Sequence, residues 1–388
     1  MGALLTATLV GLDTVRAKLL RIACSFEVLR AVFVNRAQRL FVLYVAFIGI
    51  ALIVATTVPL WQLLLGPIFY GFAHLLCSVR YFHYAAASNE QFADSQLRSA
   101  SYRFLVSASI AYGLYRFARS QGLVPGISGR FSEWQGAALV DTVFMCVVFG
   151  GAAYLYRKSP PRVVLGAVVL LPVVLCLRTW PLETAGFLAL IHNLVGFAYW
   201  ILLASRPQER RYAFAALGIF LLVNAALFAG SLDPLLDKFA RGSHLKFARL
   251  DTLELGRMIF PWSNNPNLWL HATVAFAFGQ STHYYVWLKA IPDECHYNRI
   301  PTTFKQSYHL LGRDFGRRTS AVIIYGVVAA ALVWVFLSFP ESRKVYFLVA
   351  GFHGFLEIAG LGVARYRRSE FVRTAGAPAP APRISTRF

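Results

Sequence analysis

The chain has 388 residues, of which 57% are hydrophobic and only 14% charged, and its formal net charge is +20. Soluble domains carry about 25% charged residues, so this composition excludes an ordinary soluble globule. The apolar runs are continuous rather than alternating, which excludes a transmembrane β-barrel. Most basic residues sit in the short gaps between those runs. That is the pattern of loops facing anionic lipid, not of a nucleic-acid surface.

Residues 1–38 read as an amphipathic interfacial or cytoplasmic helix, with Arg16, Lys18, Arg21 and Arg30 among apolar residues. A short buried helix is the alternative. The opening apolar stretch runs into basic residues, the wrong order for a cleavable signal peptide. Ten candidate spans follow, at 40–58, 61–79, 103–118, 135–155, 162–178, 184–204, 212–231, 268–288, 319–340 and 344–364. Each approaches the roughly 20 residues that a helix needs to cross a bilayer core. The fold class is therefore an all-α polytopic transmembrane bundle of about ten spans, over residues 39–370. Eight or nine spans result if a weak segment is re-entrant. Pro59 separates the first two spans and predicts a tight helical hairpin. Placing both termini in the cytoplasm puts most of the 38 Lys and Arg inside. Residues 232–267 then form a long outside loop, in which 233–259 predict one or two amphipathic surface helices. Residues 289–318 form a long cytoplasmic loop, and the tail 371–388, with APAPAP, reads as disordered. The absence of any eukaryotic targeting signal favours a bacterial inner membrane.

Ionisable residues inside a span are expensive and usually face a partner or the bundle interior. The last span contains GFHGFLEIAG, which places His353 and Glu357 on one helical face. Counted inward from the outer ends of their spans, His74, His192, Gln280, His283, His353 and Glu357 fall within roughly 11 Å of depth at 1.5 Å per residue. Several helices can therefore bring a polar centre together in the middle to inner part of the bilayer. His271 and His83 lie nearer the two surfaces. His271 is also too far from His283 along its helix to share one centre.

Imidazole suits iron, zinc and copper, and mixed histidine and carboxylate ligation suits non-haem iron. His74, His192, His283 and His353 are the candidate metal ligands. Glu357 is a candidate carboxylate ligand or proton acceptor. Gln280 and Asn193 are candidates for orienting ligands or substrate. Apolar helices and a 15% aromatic content surround these residues. The chemistry this suggests is a non-haem iron oxygenase acting on a lipid-soluble isoprenoid, carotenoid or acyl lipid. Another transition metal, or haem between two facing histidines, remains an alternative. No HExxH, HxxxH or HxxHH motif occurs, which counts against zincins and the membrane desaturases. Two other classes stay open. Glycine and proline in LLLGPIFYGF and VVLLPVVLC would suit the broken helices of a proton-coupled transporter. The basic loop 289–318, with His309 and Arg313, would suit a lipid-headgroup transferase.

Intramembrane histidines at positions 74, 192, 283 and 353 in a many-spanning protein resemble those of the bacterial β-carotene-cleaving dioxygenases related to the bacteriorhodopsin-associated proteins. In that family membrane histidines hold a non-haem iron that splits β-carotene to retinal. The resemblance covers the spans and not the long loops. It implies a feasible chemistry rather than membership of the family.

Overall fold

The computed structural model describes residues 2–27, 35–71, 160–204, 207–245, 250–260 and 262–296, with a scatter of others that includes His74 and Glu357. The described residues are mostly helical. In chain order they form α1 (Gly2–Ser25), α2 (Arg36–Thr57) and α3 (Pro59–Gly66), which runs into a π-helical turn (Pro67–Gly71). Then come α4 (Pro160–Thr179), α5 (Pro181–Leu203) and α6 (Pro207–Phe228). A short α7 (Asp233–Phe239) and the antiparallel pair β1 (His244–Leu245) and β2 (Leu250–Asp251) lead to α8 (Thr252–Ile259). Last are α9 (Pro266–Tyr285), a second π-helical turn (Val286–Ala290) and α10 (Ile291–His296).

Five of these helices begin on a proline: α3, α4, α5, α6 and α9. Proline is well placed there, since the first helical position needs no N–H donor and its φ is already helical. Other starts and stops are equally local. The Asn35 side chain accepts from the Ala37 and Gln38 amides to cap α2, and Asp251 caps α8 in the same way. Gly230, at φ 74°, supplies the left-handed residue that ends α6.

Two helices, Arg36–Thr57 and Pro207–Phe228, are long and apolar enough to cross a membrane. They correspond to the expected spans 40–58 and 212–231. Helices also occupy 162–178, 184–204 and 268–288. The stretch 61–79 is described as far as Gly71 and again at His74. Only scattered residues of 103–118 and 135–155 are described. The spans 319–340 and 344–364 lie outside the described residues except at Ala329 and Glu357, as do residues 297–318 and the tail. The long loop 232–267 holds two short helices with the strand pair between them.

Helix α9 is the centre of the described bundle. It is buried on all sides, from Leu270 to Tyr285 with little interruption, as an apolar helix must be when neighbours surround it. It packs on α2, α3, α5, α6 and α8. Polar ties fix its register: the Tyr285 hydroxyl donates to the Leu40 carbonyl, and Gln62 donates to Ser281. Tyr44 meets Phe197, Trp200 and Tyr285 edge-on and donates to the Ala216 carbonyl at 3.0 Å. At one end of the bundle Arg36 pairs with Glu209 at 2.9 Å and also donates to the Asp293 carbonyl. At the other end Asp233 pairs with His271.

The outward faces are apolar. Val164, Val168, Leu171 and Leu175 on α4 are exposed at helical spacing, as are Phe214, Leu221 and Leu222 on α6. On α1 the exposed residues Leu12, Val15, Leu19 and Ile22, continued by Phe26 just past its end, form one stripe.

Helix α8 crosses α9 at Gly256, where an added Cβ would collide with the Trp269 backbone. Gly218 on α6 faces open space. The same substitution should therefore act with opposite sign at the two sites. Gly256→Ala is expected to cost about 1–3 kcal/mol through overpacking. Gly218→Ala should be neutral or stabilising by up to about 1 kcal/mol through helix propensity. Thermal unfolding of the two variants in detergent checks this.

Candidate metal centre

Two helices carry two of the four side chains of the centre, and two glycines let them approach. Asn193 on α5 lies against Gly279 of α9, where a Cβ would meet its Nδ2 at 2.8 Å. Four residues beyond His192, Gly196 lies against Trp287, where a Cβ would meet the indole Nε1 at 3.3 Å. Beside these contacts the rings of His192 and His283 meet at a tilt of 52°, with centroids 4.3 Å apart. From Asn193 at Gly279 to Gly196 at Trp287 the two glycine contacts advance in the same chain direction, so α5 and α9 run parallel. His74 enters just beyond the π-helical turn Pro67–Gly71, and Glu357 enters from a helical position late in the chain.

These four side chains converge. One ligand atom from each of His74, His192, His283 and Glu357 lies within 4.8 Å of all the others. The Nε2 atoms of His74 and His283 are 3.1 Å apart. Glu357 Oε1 is 3.2 Å from His74 Nε2 and 3.6 Å from His283 Nε2. Three donors with such edges can all sit about 2.1 Å from a single ion, the usual metal–nitrogen distance. His192 Nε2 is 3.9 Å from the other carboxylate oxygen, Oε2. The side chains of His74, His283 and Glu357 are essentially inaccessible, whereas that of His192 is 25% exposed.

Aromatic rings close the buried side. The Trp287 ring lies 5.5 Å from that of His74 and 4.9 Å from that of Tyr199. Tyr284 lies 5.6 Å from His74 and accepts a hydrogen bond from Gln280 at 2.9 Å. Water is thus kept from two of the imidazoles and the carboxylate. A buried charge is tolerated only when it is paired or binds a metal. Three imidazoles and one carboxylate form a donor set that a divalent transition ion fits in both number and chemistry.

Of the residues singled out in the sequence, His74, His192, His283 and Glu357 meet at this point. His353 lies outside the described residues. Gln280 bonds to Tyr284, and Asn193 packs at Gly279. His271 is held elsewhere, with Nε2 2.6 Å from Asp233 Oδ1. Trp287, Tyr284, Gly196 and Gly279 were not singled out. The spacing of Gly196 one turn after His192, and of Gly279 one turn before His283, is the signal that points to them.

The fold and site define a helical protein with a buried group of three histidines and one glutamate that could hold a metal ion. No protein-family model, curated protein or solved structure matches the chain. The likeness to the carotene-cleaving dioxygenases therefore rests on the histidines and the helical architecture alone.

Glu357→Gln keeps the size of the side chain and removes its charge. As a metal ligand, Glu357 should show a loss in divalent-metal affinity of more than about 100-fold, above the 10–100-fold typical of outer-sphere changes. The unfolding midpoint of the metal-free variant should not fall. Metal titration and thermal unfolding on the same sample check both parts.

Proposed function

We propose that the chain is an integral-membrane, metal-dependent oxidoreductase: a multi-pass non-haem iron oxygenase of the bacterial inner membrane that acts on a lipid-soluble isoprenoid, carotenoid or acyl lipid. The observation that carries this is the closeness of His74, His283 and Glu357, with edges of 3.1, 3.2 and 3.6 Å. Two histidines and one carboxylate on a single face of an ion, with further positions open, are the donor set of non-haem iron oxygenases. Haem fits poorly, because its axial ligands stand on opposite faces of the porphyrin. Two Nε2 atoms 3.1 Å apart leave no room for a ring between them.

A bound iron supplies dioxygen activation. The chain's own residues supply the rest. Glu357 brings negative charge that offsets the cation. Trp287, Tyr284 and Tyr199 exclude water from the inner side. The parallel pair α5 and α9 fixes the spacing of His192 and His283.

Placement in the membrane has separate support. Arg36, Glu209 and Asp293 belong to three segments that the charge bias assigns to the cytoplasm, and they meet at one end of the bundle. Asp233, assigned to the outside, meets His271 at the other end. The parallel sense of α5 and α9 is that required of the sixth and eighth spans. Exposed apolar rows on α4 and α6 suit lipid contact. Helix α1 lies on the cytoplasmic surface, its apolar stripe in the lipid and flanked by Arg16 and Lys18.

The test is to purify the chain in detergent, reconstitute it with iron, and supply carotenoid, polyprenyl and acyl lipids under labelled dioxygen. The expected outcome is about one iron per chain, no Soret band, and label in a lipid product that His283→Ala abolishes. Failure of iron, manganese, copper and zinc alike to bind would overturn the proposal. Metal-independent flux across liposomes would favour a transporter instead.

A further inference from the structure

The four ligand side chains are not equivalent. We infer that His74, His283 and Glu357 hold the ion permanently, while His192 is a replaceable ligand on the side from which substrate arrives. This rests on the metal-dependent reading above and adds the direction of approach to it.

Geometry separates the two roles. His74, His283 and Glu357 Oε1 form a tight triangle whose longest edge is 3.6 Å. His192 stands 3.9 Å from the carboxylate and approaches its other oxygen. Burial separates them again. The three triangle residues are closed off, with Trp287 and Tyr284 against His74. His192 alone reaches the accessible side, at 25% exposure.

The surroundings of His192 allow exchange. Its backbone is held by the turn that follows it, where Asn193 lies against Gly279 and Gly196 against Trp287. Only its side-chain torsions are left to move, and exposed side chains change rotamer within nanoseconds. A triangle of ligands occupies one face of an octahedron. His192 would fill one remaining position at rest. It would yield that position to a donor group carried by the substrate, such as the oxygen of a hydroxyl or carbonyl on a lipid-soluble molecule. The exposed side of the centre thus sets which end of the substrate enters first.

The experiment uses cobalt(II) as the probe ion and imidazole as the probe ligand. Full-length His74→Ala, His192→Ala, His283→Ala and Glu357→Gln proteins are titrated with cobalt and read by metal content and visible spectrum. His192→Ala should bind cobalt within about threefold of the unsubstituted chain, with shifted visible bands. The other three should lose more than about 100-fold, beyond outer-sphere effects. Millimolar imidazole should restore the original bands in His192→Ala and in no other variant, because only that vacancy opens outward. Thermal unfolding shows which variants fold, and His192→Gln gives a second, bulkier replacement that should rank with His192→Ala. Equal cobalt loss in His192→Ala, His192→Gln and the other variants would overturn the inference and leave the metal site standing. So would imidazole rescue of His283→Ala. Failure of the unsubstituted chain to bind cobalt would overturn the metal site itself, and this inference with it.

Discussion

A carboxylate buried among three imidazoles is the constraint on which the rest depends. Glu357 is 1% exposed, and so is His283. Moving a carboxylate out of water costs several kcal/mol even after the protein relaxes. A cation held jointly by the carboxylate and the imidazoles offsets that cost. The same four groups that would be unfavourable as isolated buried polar atoms become favourable as a ligand set. A metal ion at this site would account for the buried charge.

The helices hold that set by close approach more than by hydrophobic burial. In the bilayer proposed for this bundle, lipid tails would be as apolar as leucine, and helices would associate through van der Waals contact and a few hydrogen bonds. Small residues at the contacts are then the working parts. Gly279 receives Asn193, Gly196 receives Trp287, and Gly256 receives the Trp269 backbone. Around them, Tyr285 on Leu40 and Tyr44 on Ala216 lock the central helix to α2 and α6. With α9 enclosed by its neighbours, His283 is buried against His74 and Glu357. His192 follows from the shared contacts of α5 and α9.

The helical architecture was legible because its signal is compositional. Apolar runs at 40–58 and 212–231 need no partner to be recognised. The helix starts were less well placed, since the expected spans began a few residues after Pro59, Pro160, Pro181, Pro207 and Pro266. Those prolines are punctuation that hydropathy does not register. For the site, histidines in apolar runs stand out by cost, and depth grouped His74, His192, Gln280, His283, His353 and Glu357, of which His74, His192, His283 and Glu357 converge. The same counting set His271 apart, at more than three helical turns from His283. Trp287 was not legible, and Gly196 and Gly279 were marked only by their one-turn spacing from His192 and His283. Tryptophan and glycine are ordinary in apolar helices, and their meaning here lies in which helix faces which. That is set by contacts far apart in the sequence. The partition between His192 and the other ligands was equally hidden, because exposure belongs to the assembled bundle.

The most direct measurement is X-ray absorption at the metal edge of the iron-loaded chain. A mononuclear centre built from His74, His192, His283 and Glu357 should give one shell of nitrogen and oxygen neighbours near about 2.1 Å, with the outer-shell scattering of imidazole. A sulfur shell near about 2.3 Å, a second metal, or a spectrum with no imidazole scattering would contradict the account.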